Sequence, residues 1–163
     1  MRTSSVVKLC VASLVVAAIS SGSALGAQGN ARHDVDRHAD GGSLQRAVAQ
    51  HIAALTACDA NALVAGYTSD AVLFFPDGVV VTGTAALQSL YNGFVKPHSQ
   101  GGLCGLLATP VQEFERGHTV FVKFSVTAPF LAAPYFSTDG YIFENGKIAS
   151  EMSTFDASKL KFN

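Results

Sequence analysis

Asp139 stands in a run whose alternate residues are Tyr135, Ser137, Tyr141 and Phe143. In a strand these five share one face. A carboxyl set among rings loses water, and losing water disfavours its charged form. Such a group can act as a general acid or as a neutral hydrogen-bond donor near neutral pH. The competing reading is an aspartate satisfied by backbone donors at a sheet bend. His51 is the second candidate. It follows Leu44 by seven residues, on the helical stripe of Val48, Ile52 and Leu55. A histidine there is either a satisfied core residue or an imidazole aimed into an interior. If the fold brings them together, His51 and Asp139 form an acid–base or ligand-orienting pair.

Other chemistries find little support. The chain has no metal-ligand spacing, no nucleophile elbow and no phosphate-cradling glycine loop. We therefore expect neither a metal nor another cofactor. His33, Asp34, Asp36, His38 and Asp40 are metal-capable, but they fall in a segment without apolar period, where ordering the chain for a metal costs entropy. His98 and His118 fall in a loop and at a strand start, positions that favour solvent over catalysis.

The elements that must position these groups follow from period and punctuation. Ser43 is the expected N-cap of a first helix, and Asp59 that of a short second helix over 60–67. A strand over 71–76, a turn at Asp77-Gly78 and a return over 79–82 follow. Thr84 is the expected cap of a third helix over 85–94. The remainder reads as strands over 103–115, 118–127, 135–143 and 147–155. Pro110 marks a bulge or an edge in the first of these. Asn145-Gly146 is the strongest hairpin signal in the chain. Helices followed by a meander of strands indicate an α+β domain whose curved antiparallel sheet packs on three helices.

Composition narrows the class. The 163 residues are 48% hydrophobic and 14% charged, too apolar for a disordered chain. The mean hydropathy is +0.29, part of which belongs to the N-terminus. Residues 1–27 carry Arg2 and Lys8, an apolar run over 9–19 and a small-residue stretch ending at Ala27. This is the layout of a cleaved secretory signal, with Ala24 as a competing site. The apolar run is about half the length that spans a bilayer, so no stable membrane insertion is expected after cleavage. Cys10 lies at the start of that run, badly placed for lipidation. Residues 28–42 read as a flexible linker and 43–160 as the domain. Losing Arg2 and Lys8 takes eleven cations to nine against twelve acids, which removes the electrostatic case for a nucleic-acid partner. Export places the protein in the periplasm or outside the cell. There Cys58 and Cys104 can pair as a disulfide, or remain buried thiols.

The order Cys58-Asp-Ala-Asn-Ala-Leu, Tyr67-Thr-Ser-Asp-Ala-Val, Phe75-Pro-Asp-Gly, Val81-Thr-Gly-Thr and Tyr141-Ile-Phe-Glu-Asn-Gly-Lys-Ile resembles the nuclear-transport-factor-two-like superfamily. The likeness is to its SnoaL-like and ketosteroid-isomerase-like branch, over about residues 44–156. It implies a cone-shaped, strongly bent sheet wrapped by three helices around a deep apolar pocket. It also implies a homodimer formed through the outer sheet face. In the ketosteroid isomerase pattern Phe75 falls where a base is needed, and a phenyl ring cannot take a proton. His51 falls at the tyrosine position and Asp139 at the oxyanion-binding aspartate. Glu151, Ser153 and Phe155 would face the same interior, although Glu151 also reads as a surface charge.

The catalytic candidates are thus His51, Asp139 and Glu151. The candidate ligand-binding residues are Tyr67, Phe75, Tyr91, Tyr141, Ser153 and Phe155. Phe74, Phe94, Phe121 and Phe124 are further candidates for core or pocket wall. One reading is an exported binder of a small apolar or amphipathic organic molecule. Its chemistry, if any, would be isomerisation, dehydration, cyclisation or hydrolysis by acid–base groups. The alternative is a non-catalytic dimerisation or assembly module, which a cavity below a few hundred Å³ would favour.

Overall fold

The computed structural model describes residues 42–163; the expected signal and nearly all of the linker lie outside them. Helix α1 spans Ser43–Thr56, α2 Ala60–Ala65 and α3 Thr84–Phe94. Six strands follow the order β1 Tyr67–Phe74, β2 Val80–Thr82, β3 Leu107–Arg116, β4 Thr119–Thr127, β5 Tyr135–Glu144 and β6 Lys147–Ser153. They form one sheet in the order β2-β1-β6-β5-β4-β3.

The α+β class holds, but the sheet is mixed rather than antiparallel. Strand β1 pairs with β6 in parallel, and every other pairing is antiparallel. The hairpin signals of the sequence report only neighbouring strands. The β1–β6 pair joins segments some eighty residues apart and carries no local signal.

The stripe of α1 is buried at Leu44 and Val48, against inner-face residues such as Val120, Val122 and Phe124. Asp59 caps α2 as expected, accepting from the Ala62 amide at 2.9 Å. The other two caps differ. Gly42 holds the N-cap of α1 and Gly83 that of α3, neither with a side-chain bond. Gly83 has φ +79°, a conformation glycine adopts without strain. Helix α2 stops before Gly66, so Tyr67 starts β1 instead of ending the helix. Asn145 and Gly146 both have positive φ, as the tight β5–β6 turn demands.

Register breaks between Pro110 and Gln112, as the proline suggested, and between Ile142 and Phe143 opposite β6. Such breaks bend the bulged strand. Cys58 and Cys104 are bridged, with Cα atoms 5.5 Å apart. The bridge ties the α1–α2 turn to the loop that leads into β3.

Phe74 and Phe121, considered for core or wall, are exposed on the outer face instead. They belong to a register row that crosses the whole sheet: Val80, Phe74, Met152, Gly140, Phe121, Phe114. The Phe121 ring lies over Gly140, where a Cβ would come within 2.9 Å of it. A side chain at position 140 would displace that ring.

Candidate functional site

The inner face of β5 presents Ser137, Asp139, Tyr141 and Phe143 by simple alternation. Strand β6 needs a correction to join them. Ile148 points inward, so strict alternation would also bury Ser150 and Met152. Instead Ile142 pairs with Ser150 and Phe143 with Ile148, leaving Ala149 extra. The bulge flips the phase, so that Glu151 and Ser153 are buried and Met152 is 58% exposed. Asp139 then pairs with Ser153 and Tyr141 with Glu151. Helix α1 brings His51, Ile52 and Leu55, and α3 brings Leu90, Tyr91 and Phe94.

These elements line a cavity of about 70 Å³, room for a few waters or a slim ligand. His51, Asp139, Glu151, Tyr91, Tyr141, Phe75, Ser153 and Phe155 all line it. Of the residues expected there, Tyr67 alone does not; it is buried behind Glu151 and Tyr91. Ser137, a strand neighbour of Asp139 and not a candidate in its own right, also lines the cavity. Its period-two spacing from Asp139 was the available signal.

Asp139 Oδ1 accepts from the Ser153 hydroxyl at 2.8 Å, the Ser137 hydroxyl at 3.0 Å and the Thr154 amide at 3.3 Å. Burial raises its carboxyl above the usual range, and these donors pull it back. Both sequence readings of Asp139 are therefore partly realised: it sits among rings, and it is well supplied with donors. Glu151 is more strongly perturbed. Burial pushes it up to about 8, the charge of Asp139 adds to the push, and the Tyr67 hydroxyl opposes it. Glu151 is no surface charge: it is only 5% exposed.

His51 is buried against the edges of Tyr67, Tyr91 and Tyr141, with ring centroids 5.5, 6.2 and 6.0 Å away. Burial lowers it to about 4, so it is a neutral imidazole at pH 7. Its Nδ1 is buried with no hydrogen-bond partner. The core-residue reading required a satisfied histidine, and this one is not. Near neutral pH the site therefore holds a carboxylic acid on Glu151 and a neutral imidazole on His51, beside an Asp139 carboxyl that burial raises and whose ionised form the three donors favour. It can donate a proton and accept one without becoming a naked ion pair.

No protein-family model and no curated protein matches the sequence. Solved structures do. An NTF2-like protein of unknown function from Burkholderia pseudomallei matches with a TM-score of 0.59 at 19% identity, over 72% of this chain and 93% of that one. The chain has the NTF2-like fold. The epoxide hydrolase/cyclase-like enzyme SalBIII, of pyran ring formation in the polyether salinomycin, matches with a TM-score of 0.59 at 17% identity, over 74% and 95%. A protein from Sinorhizobium meliloti described as a candidate polyketide cyclase matches with a TM-score of 0.55 at 20% identity, over 69% and 98%. Identities this low establish the NTF2-like architecture and leave the chemistry to the residues of the pocket.

Proposed function

We propose that this is an exported protein that binds a small organic molecule in the cavity and transforms it by cofactor-free acid–base chemistry. The observation that carries this reading is the buried polar cluster in an otherwise apolar cavity. His51, Ser137, Asp139, Glu151 and Ser153 are all buried there. Burying two carboxyls and an unpartnered imidazole is costly, and a purely structural core gains nothing from it. Asp139, whose ionised form is held by three donors, is the base. Glu151 is the acid. His51, neutral and lining the cavity, orients the ligand. The His51–Asp139 pairing expected from the sequence thus becomes an Asp139–Glu151 pairing with His51 orienting. The reaction class is isomerisation, dehydration, cyclisation or epoxide opening, the last two in keeping with what SalBIII and the Sinorhizobium protein are described as doing.

The cavity is narrower than the several hundred Å³ of a drug-sized site, which taken alone favours the assembly-module reading. The polar cluster outweighs it, because a filled scaffold needs no buried acid. The narrow volume instead limits the ligand to a slim one. The apolar row on the outer sheet face supports a homodimer, which is compatible with either reading.

Native mass spectrometry of protein purified from its own compartment tests the proposal. A retained organic molecule is expected, together with a mature mass that starts at Gln28. Asp139→Asn and His51→Ala should release that molecule while the protein stays folded. Retention in both folded variants would overturn the site.

A further inference from the structure

Tyr67 lies outside the cavity lining, yet it joins two groups that line it. Its hydroxyl oxygen is 2.5 Å from that of Tyr91, and its hydroxyl donates to Oε2 of Glu151. Tyr67 itself is 3% exposed. Counting protons leaves two complete orders. A phenol has one proton to give. With that proton on Glu151, the Tyr67 oxygen can only accept, so Tyr91 donates to it. The chain runs Tyr91 to Tyr67 to Glu151 Oε2, and neutral Glu151 carries its own proton on Oε1. The reverse order is equally complete. Glu151 then donates from Oε2 to Tyr67, Tyr67 donates to Tyr91, and Tyr91 presents its proton to the cavity. Neither order contains an ion.

We infer that Tyr67 is a positioning residue that passes protons between Tyr91 and Glu151, so that a bound molecule can lose a proton at one atom and gain one at another. The inference rests on the proposal that the cavity takes a ligand. In the balanced step, an acidic hydrogen–heteroatom or hydrogen–carbon bond of the ligand breaks as its proton joins the Tyr91 oxygen. The Tyr91 proton moves to Tyr67, and the Tyr67 proton moves to Glu151 Oε2. The Oε1–H bond of Glu151 breaks as a new bond forms at a second atom of the ligand. The ligand is isomerised, each residue again holds one proton, and no oxidant or reductant is consumed. The chain is left in its reverse order and resets when water in the cavity gives a proton to Glu151 Oε1 and takes one from Tyr91, while the two protons between them move back along the chain.

The surroundings explain why such a route is favoured over one through a phenolate. Burial drives Tyr67 and Tyr91 well above the ordinary phenol range, and the charge of Glu151 adds to it. The titratable groups around Glu151 are His51 from α1, Tyr67 from β1, Tyr91 from α3, and Asp139 and Tyr141 from β5. Among the described residues, no cation acts on its carboxyl. A free phenolate in this setting has nothing to stabilise it, whereas neutral proton passing creates none.

The test needs no ligand. Side-chain carboxyl resonances of carbon-13 labelled protein report the Glu151 titration in the wild type, Tyr67→Phe and Tyr91→Phe, with amide spectra to confirm folding. Tyr67→Phe removes the donor to Glu151 and should raise its midpoint. Tyr91→Phe leaves that donor in place and should still raise the midpoint, by less, because the donor is polarised through the chain. An unmoved Glu151 midpoint in folded Tyr91→Phe overturns the relay. That single result decides the matter even if Tyr67→Phe does not fold. Because no ligand enters, loss of the relay would leave the ligand-binding proposal standing, and failure to find a ligand would leave the relay standing.

Discussion

Replacing Glu151 by Gln should change how the stability of the domain depends on pH. The folded carboxyl holds its proton to about 8, against 4.5 for an exposed one. The unfolded chain therefore binds fewer protons than the folded one between those values, and stability falls as pH rises through that window. His51 acts in the opposite sense. Its folded value is about 4 against 6.5 when exposed, so its contribution is lost as pH falls from 6.5 towards 4. Below 6.5 the two slopes largely cancel, with Asp139 adding to the Glu151 side above its unfolded value. From 6.5 to 8 Glu151 acts without that compensation. One and a half pH units at 1.36 kcal/mol each gives a loss of about 2 kcal/mol. This is a large share of a domain stability of about 5–15 kcal/mol. Urea unfolding of the oxidised protein at half-unit steps of pH measures it. Glu151→Gln, which keeps an oxygen for the Tyr67 donor, should flatten the curve between 6.5 and 8. A wild-type stability that is level or rising in that window would refute the reasoning, as would an unchanged slope in the Gln variant.

Other perturbations follow from the same geometry. Reducing the Cys58–Cys104 bridge, which spans 46 residues, should cost about 4 kcal/mol in the chain-entropy account, read by unfolding with and without reductant; a loss near zero would contradict it. Phe121→Lys breaks the apolar row of the outer sheet face and should convert a dimer to a monomer by analytical ultracentrifugation. A wild type that is monomeric at all accessible concentrations would end the homodimer proposal. His51→Leu removes a buried nitrogen that has no partner and should leave stability equal or higher by about 1 kcal/mol, while abolishing ligand retention; a clear destabilisation would mark His51 as structural.

What could be read from the sequence is what the chain does locally. The α1 stripe, the Asp59 cap, the Pro110 irregularity and the Asn145-Gly146 turn each rest on a few neighbouring residues, and each is present. Tyr67 shows the limit. An alanine-rich approach continues naturally as helix, yet the helix stops before Gly66 and Tyr67 pairs in parallel with Ile148 at the start of β1. Gly66 itself accepts from the Ile148 amide at 2.9 Å, a contact across some eighty residues that no local pattern announces.

Glu151 carries this limit into the site. From alternation alone, Ile148 fixes the inward phase of β6, and Glu151 would face solvent. Its inward placement came from resemblance, not from period. The extra residue at Ala149 reconciles the two, because a single bulge exchanges the faces of every residue after it. The same bulge that buries Glu151 and Ser153 also turns Met152 outward into the apolar row. One irregularity therefore supplies both the acid of the pocket and the centre of the outer face. Deleting Ala149 would remove the extra residue and keep these pairs, leaving Ile148, Glu151 and Ser153 in strict alternation on the inner face and Met152 on the outer one. The site and the surface behind it are two sides of one backbone decision.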